Sequence, residues 1–412
     1  MTLPKVKYLV PSHHGFVLAD DTLCQLPMRL ARDKTCQTTS PAITYGQYFR
    51  GITDVVSKDG YRLLVDATAK QRTEGVSPAD IKEVLIYVEK HGSDYHPARI
   101  EVTLGDQTCA AFVMNVAVTA RGKARLCSEL EVLQYLNRKY DFPFLPRTYY
   151  QGEAVLPTMV MFLADWFQGY HEFHLSMDKD GGSPRLAIWD THQRHRFLAP
   201  SQAWDICRCA AMILTLYYDV QTFEQIFPWH HAAGDFVVKV QDPHPNPPPS
   251  RGRAGWGGGA PPEADTGDHG TKSVDVRLVT ARQYAPMMEP SQGVSPHEAL
   301  LFFLLNLSLR MRLDRLDGVG AVAWAGDDCV PATLEGFVDG LRMKEGEGFV
   351  EEGFTAEFVR YMDSLSKEDL SERFHALVGA CDQSAPDMPA IREHLEHHAS
   401  RFYSALQQDV LK

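Results

Sequence analysis

The chain has 412 residues, 44% of them hydrophobic and 10% aromatic, a composition typical of a globular protein with two or three packed domains. Its 41 Lys and Arg against 53 Asp and Glu give a formal net charge of −12, so we expect no nucleic-acid partner, because an acidic surface repels a phosphate backbone. The longest apolar run, within 299–309, is shorter than the roughly 20 residues that span a bilayer. We therefore also expect no membrane partner.

Eight cysteines are scattered along the chain without a C-x-x-C pair, which argues against a zinc ribbon and against a disulfide framework. The first residues contain no apolar stretch of the kind found in signal peptides. We expect reduced thiols and a cytoplasmic location.

Two features are predicted near the N-terminus. Apolar, β-branched segments at 52–56 and 61–65, separated by Asp59-Gly60, predict a β-hairpin. Further on, Ser77 and Pro78 have the character of a helix start, and the apolar spacing that follows predicts a helix that ends at Gly92.

The next segment predicts a second hairpin, with strands at 100–104 and 110–119 around the turn Gly105-Asp106. A helix is predicted over about 124–140, with Leu126, Leu130 and Leu133 on one stripe. Glu129 falls on the same side of that helix, since successive residues turn by about 100°. The sequence therefore predicts a carboxylate on a packed face.

A strand at 159–163 leads into an aromatic, His-rich connector at 165–174, for which interlobe packing is favoured over a ligand-lining role. From there the pattern becomes helical. Strongly apolar helices are predicted at 203–218 and 297–313, and further helices at about 331–343, 355–379 and 388–410.

Between these helices lies a polar loop, 229–235, which delivers Asp235 to the start of an apolar strand at 236–240. Six Pro and five Gly within 244–262 cannot pack a core, so we predict a disordered insertion there. Removing it brings the strand 236–240 next to the strand 274–280 as a hairpin.

This order of elements resembles the bilobal fold of protein kinases, and most closely the aminoglycoside phosphotransferase and choline kinase group. The resemblance implies an α+β fold with a strand-rich N-lobe and a mostly helical C-lobe. The corresponding domains are an N-terminal extension with a β-hairpin at 1–75, an N-lobe at 76–165 and a C-lobe at 166–412, with the disordered Pro/Gly-rich insertion at 242–272.

Kinase chemistry requires a cation on the phosphates, a glutamate that holds it, a base near the acceptor hydroxyl and metal-binding side chains. The resemblance assigns Asn115 to the position of the phosphate-binding lysine and Glu129 to the helix glutamate. It assigns His230 to the base and Asp235 to the metal ligand. Thr280 ends the second hairpin strand, where the family has a metal-binding Asp, and is taken as a further cofactor-binding residue.

Alternatives remain for the loop. In another register Asp235 would be the base, and His231 competes with His230 for the catalytic role. The three side chains could also form a metal site, since imidazole and carboxylate are ordinary ligands. The loop could equally be a structural turn in which Asp235 caps backbone amides.

Two functions follow from the resemblance. The first is a divergent phosphotransferase that uses ATP with Mg²⁺ on a hydroxyl of a small-molecule or protein substrate. The second is a pseudokinase-type module that binds a ligand or a protein without turnover. The Lys, the base and one metal ligand of the family pattern are replaced in this chain, and no glycine-rich phosphate loop is present.

Overall fold

The computed structural model describes residues 3–12, 15–28, 43–72, 75–89, 94–154, 158–178, 182–189, 195–230, 234–240, 274–288 and 293–408. The insertion predicted at 242–272 lies outside these residues. The fold is mixed α+β, with most strands in the N-terminal region and most helices in the C-terminal region.

The strands are β1 (Lys5–Ser12), β2 (Gly15–Leu18), β3 (Ile81–Val88), β4 (His96–Leu104), β5 (Cys109–Ala117), β6 (Thr148–Ala154), β7 (Met159–Asp165), β8 (Glu172–Met177), β9 (Pro184–Trp189), β10 (Arg196–Phe197), β11 (Glu224–Ile226), β12 (Phe236–Val240), β13 (Val274–Leu278), β14 (Tyr284–Pro286), β15 (Leu313–Arg315) and β16 (Val322–Trp324). The helices are α1 (Asp21–Gln25), α2 (Tyr45–Val56), α3 (Lys58–Arg72), α4 (Ala120–Lys139), α5 (Pro200–Leu216), α6 (Pro296–Met311), α7 (Cys329–Gly346), α8 (Phe354–Asp363), α9 (Lys367–Ala380) and α10 (Met388–Gln407).

A seven-stranded sheet organises the N-terminal region, in the order β2-β1-β3-β4-β5-β7-β6. β1 runs parallel to β3, while every other neighbouring pair in this sheet is antiparallel. One face of the sheet packs on α2 and α3. The other face packs on α4 and joins the larger core of the C-terminal region. The sheet thus separates two cores.

The hairpin predicted at 52–65 is wrong, because these residues form the end of α2 and the first half of α3. The apolar residues of α2 follow a helical period, and Tyr48, Phe49, Ile52 and Val56 are buried together. The predicted reversal is real, since Asp59 and the next two residues have positive φ angles. It joins two helices and not two strands. The hairpin of this region is β1 with β2.

The helix predicted after Ser77 is also wrong. After a short 3₁₀ turn at Pro78–Asp80, residues 81–88 form the strand β3 between β1 and β4. Ile86 and Val88 are buried while Leu85 and Tyr87 face the other side. Both a helical and an alternating spacing fit these eight residues, and pairing with two neighbouring strands decides for the extended form.

The other predicted elements are confirmed with small shifts. The hairpin of β4 and β5, the helices α4, α5, α6 and α7, and the pairing of β12 with β13 all lie where the sequence predicts them. The helix predicted over 355–379 is two helices, because Ser366 caps a new helix start at α9.

Close packing of α5 against α7 forms the centre of the C-terminal region and depends on glycine. A Cβ atom added to Gly336 would lie 1.9 Å from the carbonyl oxygen of Arg208. We expect Gly336→Ala to lower the free energy of unfolding by about 1 to 3 kcal/mol, because the two backbones would have to separate. Gly346→Ala, at the end of the same helix with nothing within 4 Å of its added Cβ, is the matched control in urea unfolding. Equal midpoints for the two variants would contradict this close contact.

Candidate functional site

Asp235 is the most completely bonded side chain of the predicted catalytic loop. It lies immediately before β12 and is 0% exposed. Its carboxylate accepts hydrogen bonds from the backbone N–H of His230 at 2.8 Å and from the hydroxyl of Thr280 at 3.1 Å. The guanidinium of Arg282 donates two more, at 2.6 and 2.5 Å. Both carboxylate oxygens are therefore engaged.

The hairpin of β12 and β13 creates this arrangement. Phe236 pairs with Leu278, so the residues just outside the hairpin also face one another. The N–H of Val279 donates to the carbonyl oxygen of Asp235 at 2.8 Å. This bond extends the ladder by one step and sets the segment 280–282 beside the carboxylate.

The pairing of Arg282 with Asp235 is a bidentate ion pair, which is the strongest geometry available to these two groups. Burial by itself would lower the pKa of Arg282, but the hydrogen bonds and the charge of Asp235 raise it. The arginine is a fixed cation in the site. Sequence reasoning missed it, because no motif or spacing in the chain pairs Arg282 with Asp235.

Glu129 joins the same cluster from α4, as the helical stripe predicted, and is 3% exposed. Its carboxylate accepts a hydrogen bond from the hydroxyl of Tyr95 at 2.7 Å and another from the backbone N–H of Ala281. Burial raises the pKa of Glu129 to about 7; the bond from Tyr95 and the charge of Arg282 lower it, and the charge of Asp235 raises it.

Tyr95 is a second residue that sequence reasoning missed. It lies just before β4, three residues beyond Gly92, where the sequence predicted the end of a helix. Burial, followed by the charge of Glu129, raises its pKa well above the ordinary value, so its hydroxyl remains a donor. The four side chains of Tyr95, Glu129, Arg282 and Asp235 connect the N-terminal sheet region to the hairpin of β12 and β13. We call them the bridging cluster.

His230 contributes its backbone to Asp235, while its ring lies near a different acid. The ring Nε2 is 3.9 Å from a carboxylate oxygen of Asp387, the residue just before α10. Burial lowers the pKa of His230. His231, the alternative base, lies outside the described residues.

Asn115 lies on β5, paired with Pro97 on β4 and with Phe162 on β7. Strand alternation puts it on the same face as Val113 and Ala117, which belong to the core that includes α4. It therefore shares a sheet face with the helix that carries Glu129, but the hydrogen bonds of that carboxylate come from Tyr95 and Ala281.

A charged cluster occupies the same sheet face beside Asn115. Arg99 is the direct cross-strand partner of Val113 and makes ion pairs with Glu89, at 2.7 Å, and with Glu101. Its guanidinium carbon lies 3.7 Å from the centroid of the Tyr87 ring. This surface is polar, with two carboxylates around one guanidinium, unlike the mostly apolar lining of typical small-molecule pockets.

The connector after β7 packs on the hairpin. His171 and Val238 exchange backbone hydrogen bonds at 2.9 and 2.8 Å, and the hydroxyl of Tyr170 donates to Asp275 at 2.6 Å. These contacts fix the connector against β12 and β13.

The geometry therefore brings together Asp235, Thr280, the backbone of His230 and, through Arg282, Glu129. No protein-family model matches this sequence, and no curated protein matches it either. Within the described ranges, no three His, Cys, Asp or Glu side chains are grouped so that they could hold a metal ion. Among the same residues, no helix combines the length and the apolar character needed to cross a bilayer.

Proposed function

We propose that this chain is a kinase-like, two-lobed protein whose interlobe site binds a ligand or another protein without transferring a phosphoryl group. The fold part of the proposal is supported by the order of elements: a strand-rich sheet with α4 after β5, a connector, the helix α5, and the hairpin of β12 and β13 among C-terminal helices. The functional part depends on which groups the carboxylate of Asp235 already binds.

The observation that carries the proposal is that Asp235, the expected metal ligand, is already paired with the guanidinium of Arg282. Arg282 takes both oxygens of Asp235, and Thr280 and the backbone of His230 add two further bonds. A divalent ion at this carboxylate would have to displace the guanidinium. The guanidinium would then lose both of its hydrogen bonds to Asp235, so the ion competes with an intramolecular cation for the same two oxygens.

The residues expected to contact the phosphates also lack an available cation. Phosphoryl transfer needs a cation on the phosphates that a glutamate orients. Asn115 brings no charge, and Arg282, whose charge acts on Glu129, is committed to Asp235. Among the residues that the structure describes, the side chains of this site therefore do not fit ATP with Mg²⁺, and we derive no catalytic step through them.

A small molecule or a protein remains the proposed partner. We also propose a cytoplasmic location, because the seven described cysteines all carry free thiols, as is usual in reducing compartments.

A divergent phosphotransferase is the second candidate, and two observations favour it. The charge of Arg282 acts on Glu129 as well as on Asp235, so rotation of its side chain away from Asp235 would offer a guanidinium to a phosphate and free the carboxylate. The lowered pKa of His230 keeps its ring neutral near pH 7, the form in which it accepts a proton.

Thermal melting with nucleotide separates the two candidates. We expect ATP with Mg²⁺ or Mn²⁺ to leave the Tm of the wild-type chain unchanged within about 1 °C, because binding stabilises only in proportion to occupancy. Labelled ATP should give no transfer and no hydrolysis. A rise of several degrees that Asp235→Asn abolishes, and that Asp275→Asn at the far end of the same hairpin preserves, would contradict the proposal and support the phosphotransferase if labelled ATP is also hydrolysed or transferred. The same rise without hydrolysis or transfer would identify the nucleotide as the bound ligand.

A further inference from the structure

A groove with a volume of about 330 Å³ lies between the last two helices, α9 and α10. This volume falls within the range of small-molecule sites, about 300 to 1,000 Å³. The floor of the groove is apolar, because Val378 of α9 and Leu395 of α10 line it and are only 7% and 5% exposed. None of the four residues of the bridging cluster lines this groove, so it is a separate candidate site.

Gly379 keeps the groove open. It lines the groove one residue before the end of α9. An added Cβ atom would meet nothing within 4 Å, and the φ angle of this glycine is outside the left-handed region. Neither a close contact nor the backbone conformation therefore requires glycine here, although glycine is one of the least favourable residues in a helix. The missing side chain leaves room beside the apolar floor.

A guanidinium lies at the end of the groove nearest the connection between α9 and α10. In that connection the side-chain amide of Gln383 donates to the carbonyl oxygens of Val378 at 2.8 Å and of Cys381 at 2.7 Å. These bonds fix the amide, and its oxygen accepts a hydrogen bond from the guanidinium of Arg392 on α10. A guanidinium has five N–H donors, so the bond to Gln383 orients Arg392 without exhausting its capacity.

A carboxylate lies one helical turn further along α10. Glu396 and His375 of α9 are joined across the groove, with the ring Nε2 2.7 Å from Oε1 of the carboxylate. Both side chains are exposed, by 75% and 54%, so they form a polar rim above the floor. Arg392 and Glu396 are four residues apart, about 6 Å along the helix axis. The groove thus presents a cation and an anion beside one apolar floor.

We propose that this groove binds a small zwitterion of the α-amino acid class with an aliphatic side chain. The ligand carboxylate contacts the guanidinium of Arg392, and the ligand ammonium contacts Oε2 of Glu396, whose Oε1 bonds His375. The aliphatic side chain packs on the floor formed by Val378 and Leu395. A ligand that lacks either charge would satisfy only one of the two charged groups, so the groove selects for both charges.

Isothermal titration calorimetry of the full-length chain tests the proposal, with L-leucine as the probe. Two analogues separate the charges, because isocaproate lacks the ammonium group and isoamylamine lacks the carboxylate. We expect L-leucine to bind with a Kd on the order of 1 mM, since the charged side chains around the groove are exposed. Each analogue should bind about three- to tenfold more weakly, because it loses one charged contact.

Gly379→Leu is the most direct variant, because it places a side chain in the groove without removing a charge. It should abolish the binding of L-leucine without lowering the Tm, since Leu is a better helix former and the space beside residue 379 is open. Arg392→Gln and Glu396→Gln should each weaken binding about three- to tenfold. Glu393→Gln is the matched control: it removes an exposed carboxylate of α10 outside the groove lining, and it should bind as the wild-type chain does.

Four results would overturn the proposal. One is the absence of L-leucine binding to the wild-type chain at about ten times the expected Kd. Another is equal affinity for L-leucine and either analogue. Unchanged affinity in Gly379→Leu would place the bound amino acid elsewhere on the chain. Finally, a concentration-dependent dimer in analytical ultracentrifugation that Gly379→Leu converts to a monomer would assign the groove to a second copy of this chain.

Discussion

Replacing Arg282 with alanine is expected to lower the free energy of unfolding by about 1.5 to 3 kcal/mol, because the buried carboxylate of Asp235 would lose two charged hydrogen bonds. The arginine side chain is 35% exposed, so water can replace part of what is lost. Asp235 is wholly buried, and the two bonds from Arg282 are half of the four that its carboxylate accepts. Urea unfolding of the variant, monitored by far-UV circular dichroism, measures the loss.

Two comparisons identify the cause of that loss. Adding Asp235→Asn to Arg282→Ala removes the unpaired charge, so the double variant should be less destabilised than the sum of the two single changes. Arg147→Ala breaks a pair with Asp165 in which the arginine is exposed, and it should cost no more than about 1 kcal/mol. A cost for Arg282→Ala as small as that for Arg147→Ala would contradict a structural role for the ion pair.

The same Arg282→Ala variant also bears on function. If Arg282 substitutes for a metal at Asp235, its removal opens that position, and Mn²⁺ should then raise the Tm of the variant but not that of the wild-type chain. The same substitution would therefore lower the free energy of unfolding and make the Tm depend on Mn²⁺. The bridging cluster therefore links the fold and the proposed loss of catalysis.

Several parts of this cluster followed from the sequence because they depend on local signals. The apolar strand after Asp235 and the strand ending near Thr280 predicted their own pairing, even with a long insertion between them. Once that pairing is assumed, the register sets Val279 opposite Asp235 and Thr280 one residue further along. The stripe on α4 likewise predicted that Glu129 would be buried.

Arg282 and Tyr95 could not be predicted in the same way. The partner of an arginine is decided by which carboxylate lies within reach after folding, and no spacing in the chain encodes that distance. Tyr95 follows β3, a strand whose eight residues also fit a helical period. Only pairing with β1, whose residues lie more than seventy positions earlier, decides between the two forms. The choice between helix and strand at 81–88 therefore depends on a tertiary contact and not on the local sequence.

Glu129→Gln is expected to change how the free energy of unfolding depends on pH. The pKa of Glu129 is raised from 4.5 to about 7 in the folded chain, chiefly by burial. The folded form therefore binds a proton more tightly than the unfolded form, and the stability this contributes is fully present below about pH 4.5. It is lost as the pH rises through 7, since ionisation then leaves a buried charge.

Relative to Glu129→Gln, the wild-type chain should accordingly lose about 3 kcal/mol of unfolding free energy between pH 4.5 and pH 8. Urea unfolding of both chains across this range gives the difference directly, so the titration of all other groups cancels. Glu131→Gln, an exposed position two residues along the same helix, controls for removing a carboxylate from α4. Tyr95, Arg282 and Asp235 are the side chains that act on the Glu129 carboxylate. If the difference in unfolding free energy between the wild-type chain and Glu129→Gln stays constant within about 1 kcal/mol from pH 4.5 to pH 8, these neighbours hold Glu129 ionised throughout, which would contradict the raised pKa.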